Sequence, residues 1–240
     1  MPLQPLAPRR LYRQIADQLR ALIRDGEFSV GSRLPAERDL AMQLGVSRPS
    51  VREALIALEV EGMVAVRMGS GVVVTAREPA ASATRVDAPF GPFEIIRARQ
   101  VIECELAAMA AEVLDAQALA GLQAALALMR ADMACGRAPV HGDRLFHLRI
   151  AEAADNGPLL RTVTTLYDER NTPLFEQLGQ HDETLPTWQQ ALAEHQAVLD
   201  AITRHDPAAA RAAMHAHLQQ SHDRLAGLMP PATSAADAAA

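Results

Sequence analysis

Apolar residues recur at helical spacing through most of the chain, and they alternate with a period of two only between about residues 64 and 74. Leu40, Ala41 and Leu44 predict a helix entered at Pro35, whose fixed φ suits a first turn, and closed at Gly45. Val46 is then a buried turn anchor. Ser47 is an N-cap whose hydroxyl accepts an amide that the next helix leaves orphaned. That second helix runs from about Arg48 to Glu61, buries Val51, Ala54, Leu55 and Leu58, and ends at Gly62; Pro49 is harmless in a first turn. Val64 and Val66, a turn with Gly69 and Gly71, then Val72 and Val74 predict a β-hairpin.

Helix, tight turn, helix and hairpin are the parts of a winged helix-turn-helix, in which the first residues of the second helix reach base edges in the major groove. Arg48, Ser50 and Arg52 occupy those positions, with Arg38 and Ser47 beside them. One arginine on a helix surface is usually a solvated charge, so the weight lies in their clustering at one junction. A bidentate arginine on guanine gives roughly 1–3 kcal/mol of discrimination, whereas a phosphate contact gives salt-dependent grip without sequence choice; both stay open. The wing glycines let backbone approach phosphate or groove, although glycine in a hairpin turn also has a purely conformational reason.

Beyond residue 76 a stretch rich in Ala, Pro, Ser and Thr separates two periodic regions and reads as a linker over 77–92. Strand signals then vanish. Helices are expected at about 93–113, 115–136, 141–155, 157–179, 185–204 and 207–228, with Asp115 and Asp206 as N-caps and Pro207 opening the last. The expected architecture is mainly α: a winged helix-turn-helix domain over 1–76, then an antiparallel bundle of six to seven helices over 93–229, to which the resemblance named below assigns effector binding and dimerisation. The alanine-rich residues 230–240 are expected to be a disordered tail.

Asp143 and His147 stand four residues apart and so share a helix face. Such a pair is more often a capping or hydrogen-bonded couple than a metal site. His195 and His217 change that, because each is flanked by apolar residues at core spacing, and three helices can then aim at one centre. Three imidazole nitrogens and one carboxylate oxygen suit zinc, nickel, manganese or another divalent ion. His215 lies roughly 200° from His217 on a helix, so only one of them can face inward, and His217 has the better setting. His141, His181, His205 and His222 sit in hydrophilic surroundings expected to face water.

Composition narrows the function. Up to residue 78 there are 11 arginines against 9 acidic residues, and beyond it 12 against 20, within a chain of formal net charge −6. A generic polyanion binder is disfavoured, and nucleic acid is favoured at one end only. Cys104 and Cys135 are too few for a disulfide framework and are expected to be buried thiols in helical apolar stretches. The start MPLQPLAPRR has no apolar core, and no segment approaches a membrane-spanning run, so a soluble cytoplasmic protein is expected.

The region from Leu11 to Thr75 resembles the GntR family of bacterial transcription regulators through LPAERDLA, GVSRPSVREAL and EGMVAVRMGSGVVV. The resemblance implies operator contacts from Arg38, Ser47, Arg48, Ser50, Arg52 and Gly69. From Phe93 to Leu228 the chain is similar to the all-helical effector (FCD) domain of the FadR-type branch. Metal-binding members of that branch carry an Asp-x-x-x-His pair and two later histidines, which implies a divalent ion on Asp143, His147, His195 and His217. An Arg-x-x-x-Glu pair and a later asparagine imply effector contacts from Arg99, Glu103 and Asn156. Arg149 and Arg170 are alternatives, and an intrahelical salt bridge is the plainer reading of Arg99 with Glu103. PFEIIRARQVIECELAAMAA, GDRLFHLRIAEAADN and RNTPLFEQL resemble bacterial repressors of hexuronate utilisation, implying a sugar-acid effector and a homodimer on double-stranded operator DNA. Two other readings of the same residues differ in class. A metal-dependent hydrolase lacks an assigned general base and leaves the DNA-binding half without a purpose. A regulator sensing the ion itself would switch on zinc or nickel alone.

Overall fold

A computed structural model describes residues 10–67, 71–80, 90–182 and 184–227. Gly69, most of the expected linker and the 230–240 tail lie outside the described residues. The described chain divides into two units, one comprising residues up to Phe93 together with Thr172–His181, the other Glu94–Asn171 and Asp182 onward.

The first unit holds α1 (Leu11–Asp25), α2 (Glu37–Leu44), α3 (Arg48–Val60), β1 (Val64–Arg67) and β2 (Gly71–Val74). Tyr12, Ile15, Ala16, Leu19 and Ile23 form the buried stripe of α1, and its neighbour α3 buries Val51, Ala54, Leu55 and Leu58 as their spacing requires. Ser47 caps α3 by accepting from the Ser50 amide. Gly45 ends α2 at φ 64°, a left-handed conformation that suits glycine. Val46 is half-buried. β1 and β2 pair antiparallel with Val64 opposite Val74 and Val66 opposite Val72, and Arg33 adds a bridge to Val73.

The second unit is helical throughout its described residues: α4 (Pro92–Val113), α5 (Ala116–Ala134), α6 (Val140–Ala153), α7 (Gly157–Asp168), then α9 (Leu185–Thr203) and α10 (Pro207–Leu225). Asp115, Asp206 and Asn156 cap α5, α10 and α7 through their side chains. The core includes Leu106, Leu122, Leu126, Phe146, Ile150, Val163, Val198, Ile202 and Met214. Gly142 sets the crossing of α5 and α6: a Cβ there would lie 2.8 Å from the Met129 amide nitrogen and 2.9 Å from the Ala125 carbonyl oxygen.

Sequence expectations need correction over 157–182 and at Cys135. The single helix expected over 157–179 is two, broken after Asp168. Thr172 caps the new start by accepting from the Phe175 amide, and Pro173 fills the first helical position, giving α8 (Pro173–Asp182). α8 belongs to the first unit, where Gln177 and His181 bond Glu59 of α3 at 3.1 and 2.6 Å. His181 is therefore paired rather than freely solvated. Cys135 is exposed, because it sits at the C-terminal cap of α5 just before Gly136, while Cys104 is buried as expected.

Candidate metal centre

α6, α9 and α10 bring Asp143, His147, His195 and His217 together, with one donor atom from each inside a span of 4.8 Å. His147, His195 and His217 are 1, 0 and 4 % exposed. His215 is exposed, as the helical phase of α10 requires.

The ring nitrogens are not equivalent. His147 turns Nδ1 to Glu103 Oε2, His195 turns Nδ1 to the Ala191 carbonyl at 2.6 Å, and His217 turns Nδ1 to Glu194 Oε2 at 2.9 Å. Each partner accepts, so in its neutral form each ring carries its proton on Nδ1 and leaves Nε2 as a bare lone pair. The Nε2 atoms of His147 and His195 then face each other at 3.2 Å, and Asp143 Oδ1 lies 3.2 Å from His195 Nε2 and 3.8 Å from His147 Nε2. Lone pairs so arranged repel unless a cation sits among them. Donors about 2.1 Å from a tetrahedral ion are themselves roughly 3.4 Å apart, so the residues fit a divalent metal.

Electrostatics agree with that arrangement. Burial drives His217 down to about 3, with His195 adding to the fall and Glu194 opposing it. Burial likewise lowers His147 against the pull of Glu103. Burial alone would raise Asp143, yet a hydrogen bond from His195 when its Nε2 carries a proton, together with the Arg170 guanidinium, holds it well below the usual carboxylate range. Asp143 is thus presented as a carboxylate, and His147 and His217 as neutral imidazoles, which are the forms a metal binds.

Around the ligands lies a second ring of charge. Arg99 donates from Nε to Glu103 Oε1 at 2.7 Å and from Nη2 to the Tyr167 hydroxyl, with its guanidinium carbon 4.3 Å from the centre of that ring. Burial would raise Glu103, but Arg99 and His147 outweigh it and bring its pKa to about 2. Arg170 reaches Asp143 Oδ2 at 3.1 Å and lies 5.0 Å from the centre of the Tyr167 ring. Asn156 spends its Oδ1 on the Leu159 amide. Arg149 is half-exposed and paired with Glu152 at 2.6 Å. Sequence reasoning missed Tyr167, Glu194 and Arg224; the Glu194–Arg224 pair, at 2.7 and 3.0 Å, joins α9 to α10 and has no local sequence signal.

In the first unit Arg38 and Arg48 are exposed at the start of α2 and α3, with side chains 78 and 42 % accessible. Ser47 and Ser50 bond one another at 2.9 Å beside them. Arg52 differs, being buried and bonded to Glu37 at 3.3 Å. No helix among the described residues is long and apolar enough to cross a membrane.

Residues 11–74 match the family described as "Bacterial regulatory proteins, gntR family", and residues 94–220 match the FCD domain. The Exu regulon transcriptional regulator of Escherichia coli K12 is 39 % identical over 221 residues, covering 89 % of this chain and 84 % of that protein. The Uxu operon transcriptional regulator of the same strain is 34 % identical over 223 residues, covering 90 and 87 %. Among solved structures, E. coli McbR/YncC superposes with a TM-score of 0.51 at 24 % identity over 92 % of this chain and 99 % of that one, a likeness of fold.

Proposed function

The chain belongs to the GntR family of bacterial transcription regulators, in the branch with an FCD domain, and on that footing we propose that it is a homodimeric, cytoplasmic repressor released from its operator by a hexuronate or derived sugar acid. The observation that carries the effector half is the convergence of Asp143, His147, His195 and His217. Asp143 and Glu103 offset Arg99 and Arg170, so a divalent ion on these ligands would supply uncompensated positive charge and Lewis-acid attraction for an anionic oxygen. Arg99 spends Nε and Nη2 within the protein, which leaves Nη1 for the effector carboxylate. The Tyr167 hydroxyl and the Asn156 amide nitrogen are suited to sugar hydroxyls. Relatives named for the Exu and Uxu systems support the hexuronate class.

At the other end, Arg38, Ser47, Arg48 and Ser50 form the operator-reading set, with Gly69 as the wing contact. Arg52 acts there by holding Glu37 and the helix junction in place. A dimer sets two such readers on successive half-sites. The effector's influence leaves the bundle along the chain itself: Arg170 touches Asp143, and two residues later Thr172 begins the segment that packs α8 on Glu59 of the reader helix. Glu59 also accepts from Val66 at the root of the wing at 2.7 Å, so α8, reader and wing share one carboxylate.

The test is to titrate a labelled operator duplex with the metal-loaded protein in the presence and absence of glucuronate, galacturonate and their keto isomers. At least one acid is expected to weaken operator binding about 5- to 150-fold. An unchanged Kd for all of them would remove the sugar-acid assignment. A switch driven by zinc or nickel alone would make the ion the signal.

A further inference from the structure

Three histidines point at the centre, but they are not held in the same way. His195 rests on a backbone carbonyl one turn earlier in its own helix, an acceptor any sequence would provide. His147 and His217 instead rest on carboxylates brought from other helices, the buried Glu103 of α4 and the part-buried Glu194 of α9. Each carboxylate is in turn gripped by an arginine, Glu103 by Arg99 and Glu194 by both terminal nitrogens of Arg224.

We propose that Glu103 and Glu194 are paired positioning residues of the metal centre, each locking one imidazole with its proton on Nδ1 and its Nε2 aimed inward. This rests on the metal reading above. It moves Glu103 from effector contact to ligand support, since one of its oxygens faces His147 and the other accepts from Arg99.

Physical reasons favour the arrangement. A neutral imidazole free to choose would populate both tautomers and turn about its χ2, and only one of these states offers Nε2 to an ion. A carboxylate on Nδ1–H selects that state and makes the ring a stronger donor, an effect worth about 10- to 100-fold in metal affinity where it has been removed. Burying a lone carboxylate would cost several kcal/mol, and the arginine behind each one offsets that cost. Glu103 and Glu194 side chains are 2 and 10 % exposed, so solvent screens neither couple well.

The experiment uses the full-length chain stripped of metal and titrated with Zn(II) against a chromophoric chelator, and with Co(II) for its ligand-field spectrum. Glu194→Ala is expected to raise the Zn(II) Kd about 10- to 100-fold and to shift the Co(II) bands, while Glu194→Gln, which keeps an acceptor, loses less. Glu103→Ala is expected to do the same where it folds; Glu194 decides the matter where it does not. Arg211→Ala, which breaks an exposed pair with Glu105 at 2.7 Å, is expected to leave both readings unchanged. A folded Glu194→Ala variant with the parental Kd and Co(II) spectrum overturns the assignment alone. A parent chain that takes up neither ion overturns the metal reading and this assignment with it.

Discussion

Arg170 donates to Oδ2 of Asp143 at 3.1 Å, while Oδ1 of the same carboxylate lies 3.2 Å from Nε2 of His195. One carboxylate thus faces a guanidinium on one side and the histidine cluster on the other. Because the guanidinium is positive, it opposes a cation and favours an anion. Arg170→Met is therefore expected to leave zinc binding intact or tighter while weakening the sugar acid, whose carboxylate loses the attraction of a nearby positive charge. Calorimetry of each ligand separately checks this; equal losses for both would mean that the substitution only disturbs the fold.

The arginines of the first unit are expected to separate into two kinds. Arg38→Ala and Arg48→Ala remove exposed donors and are expected to cost about 1–3 kcal/mol of operator affinity with no change in Tm. Arg52→Ala removes a buried guanidinium and leaves Glu37 without that partner, so it is expected to lower Tm. Salt dependence sorts the first two further, since a phosphate contact reduces the slope of log K against log salt by about one and a base contact does not.

α8 gives a separate test of how the signal travels. His181→Ala removes a 2.6 Å bond to Glu59 without touching any proposed metal or effector residue. Sugar-acid binding is expected to keep its Kd, and the acid's effect on operator Kd is expected to shrink to a few fold. Retention of the full effect would place the route elsewhere.

The sequence carried the reader helix, the hairpin and the caps at Ser47, Asp115 and Asp206, because each is a local signal: a period, a turn residue or an N-cap. It also separated His217 from His215, since helical phase alone decides which of them faces inward. The break before α8 was legible too. Thr172–Pro173 is a cap followed by a first-turn proline, outweighed by the apolar period on both sides of it. Likewise Cys135 stands before Gly136, a helix-end signature that marks it as exposed. What no local pattern could reveal is which charges meet across helices. Glu103 read as a ligand contact because its pairing with His147 spans 44 positions, and Arg52 read as a surface donor because Glu37 lies on another helix.

The two thiols are expected to differ in reactivity. Burial, helped by Glu103 and Glu105, pushes the Cys104 thiol up to about 11, whereas Cys135 is exposed. The thiolate is the reacting form, so at pH 8 iodoacetamide is expected to modify Cys135 at least tenfold faster than Cys104. The gap is expected to narrow as pH climbs towards 11, where Cys104 ionises in place. Peptide mass mapping over time reads both rates, and equal rates at pH 8 would contradict the burial of Cys104.

The central claim is that occupancy of the histidine-lined centre governs the grip on DNA, and a two-by-two measurement of operator Kd tests it most directly. The parent and the variant with Asp143, His147, His195 and His217 all changed to alanine are each titrated, with and without the best-binding sugar acid, after metal loading. The account predicts that the acid weakens operator binding by the parent about 5- to 150-fold and leaves the folded variant unmoved. A folded variant that holds no metal and still releases the operator as the parent does would contradict it.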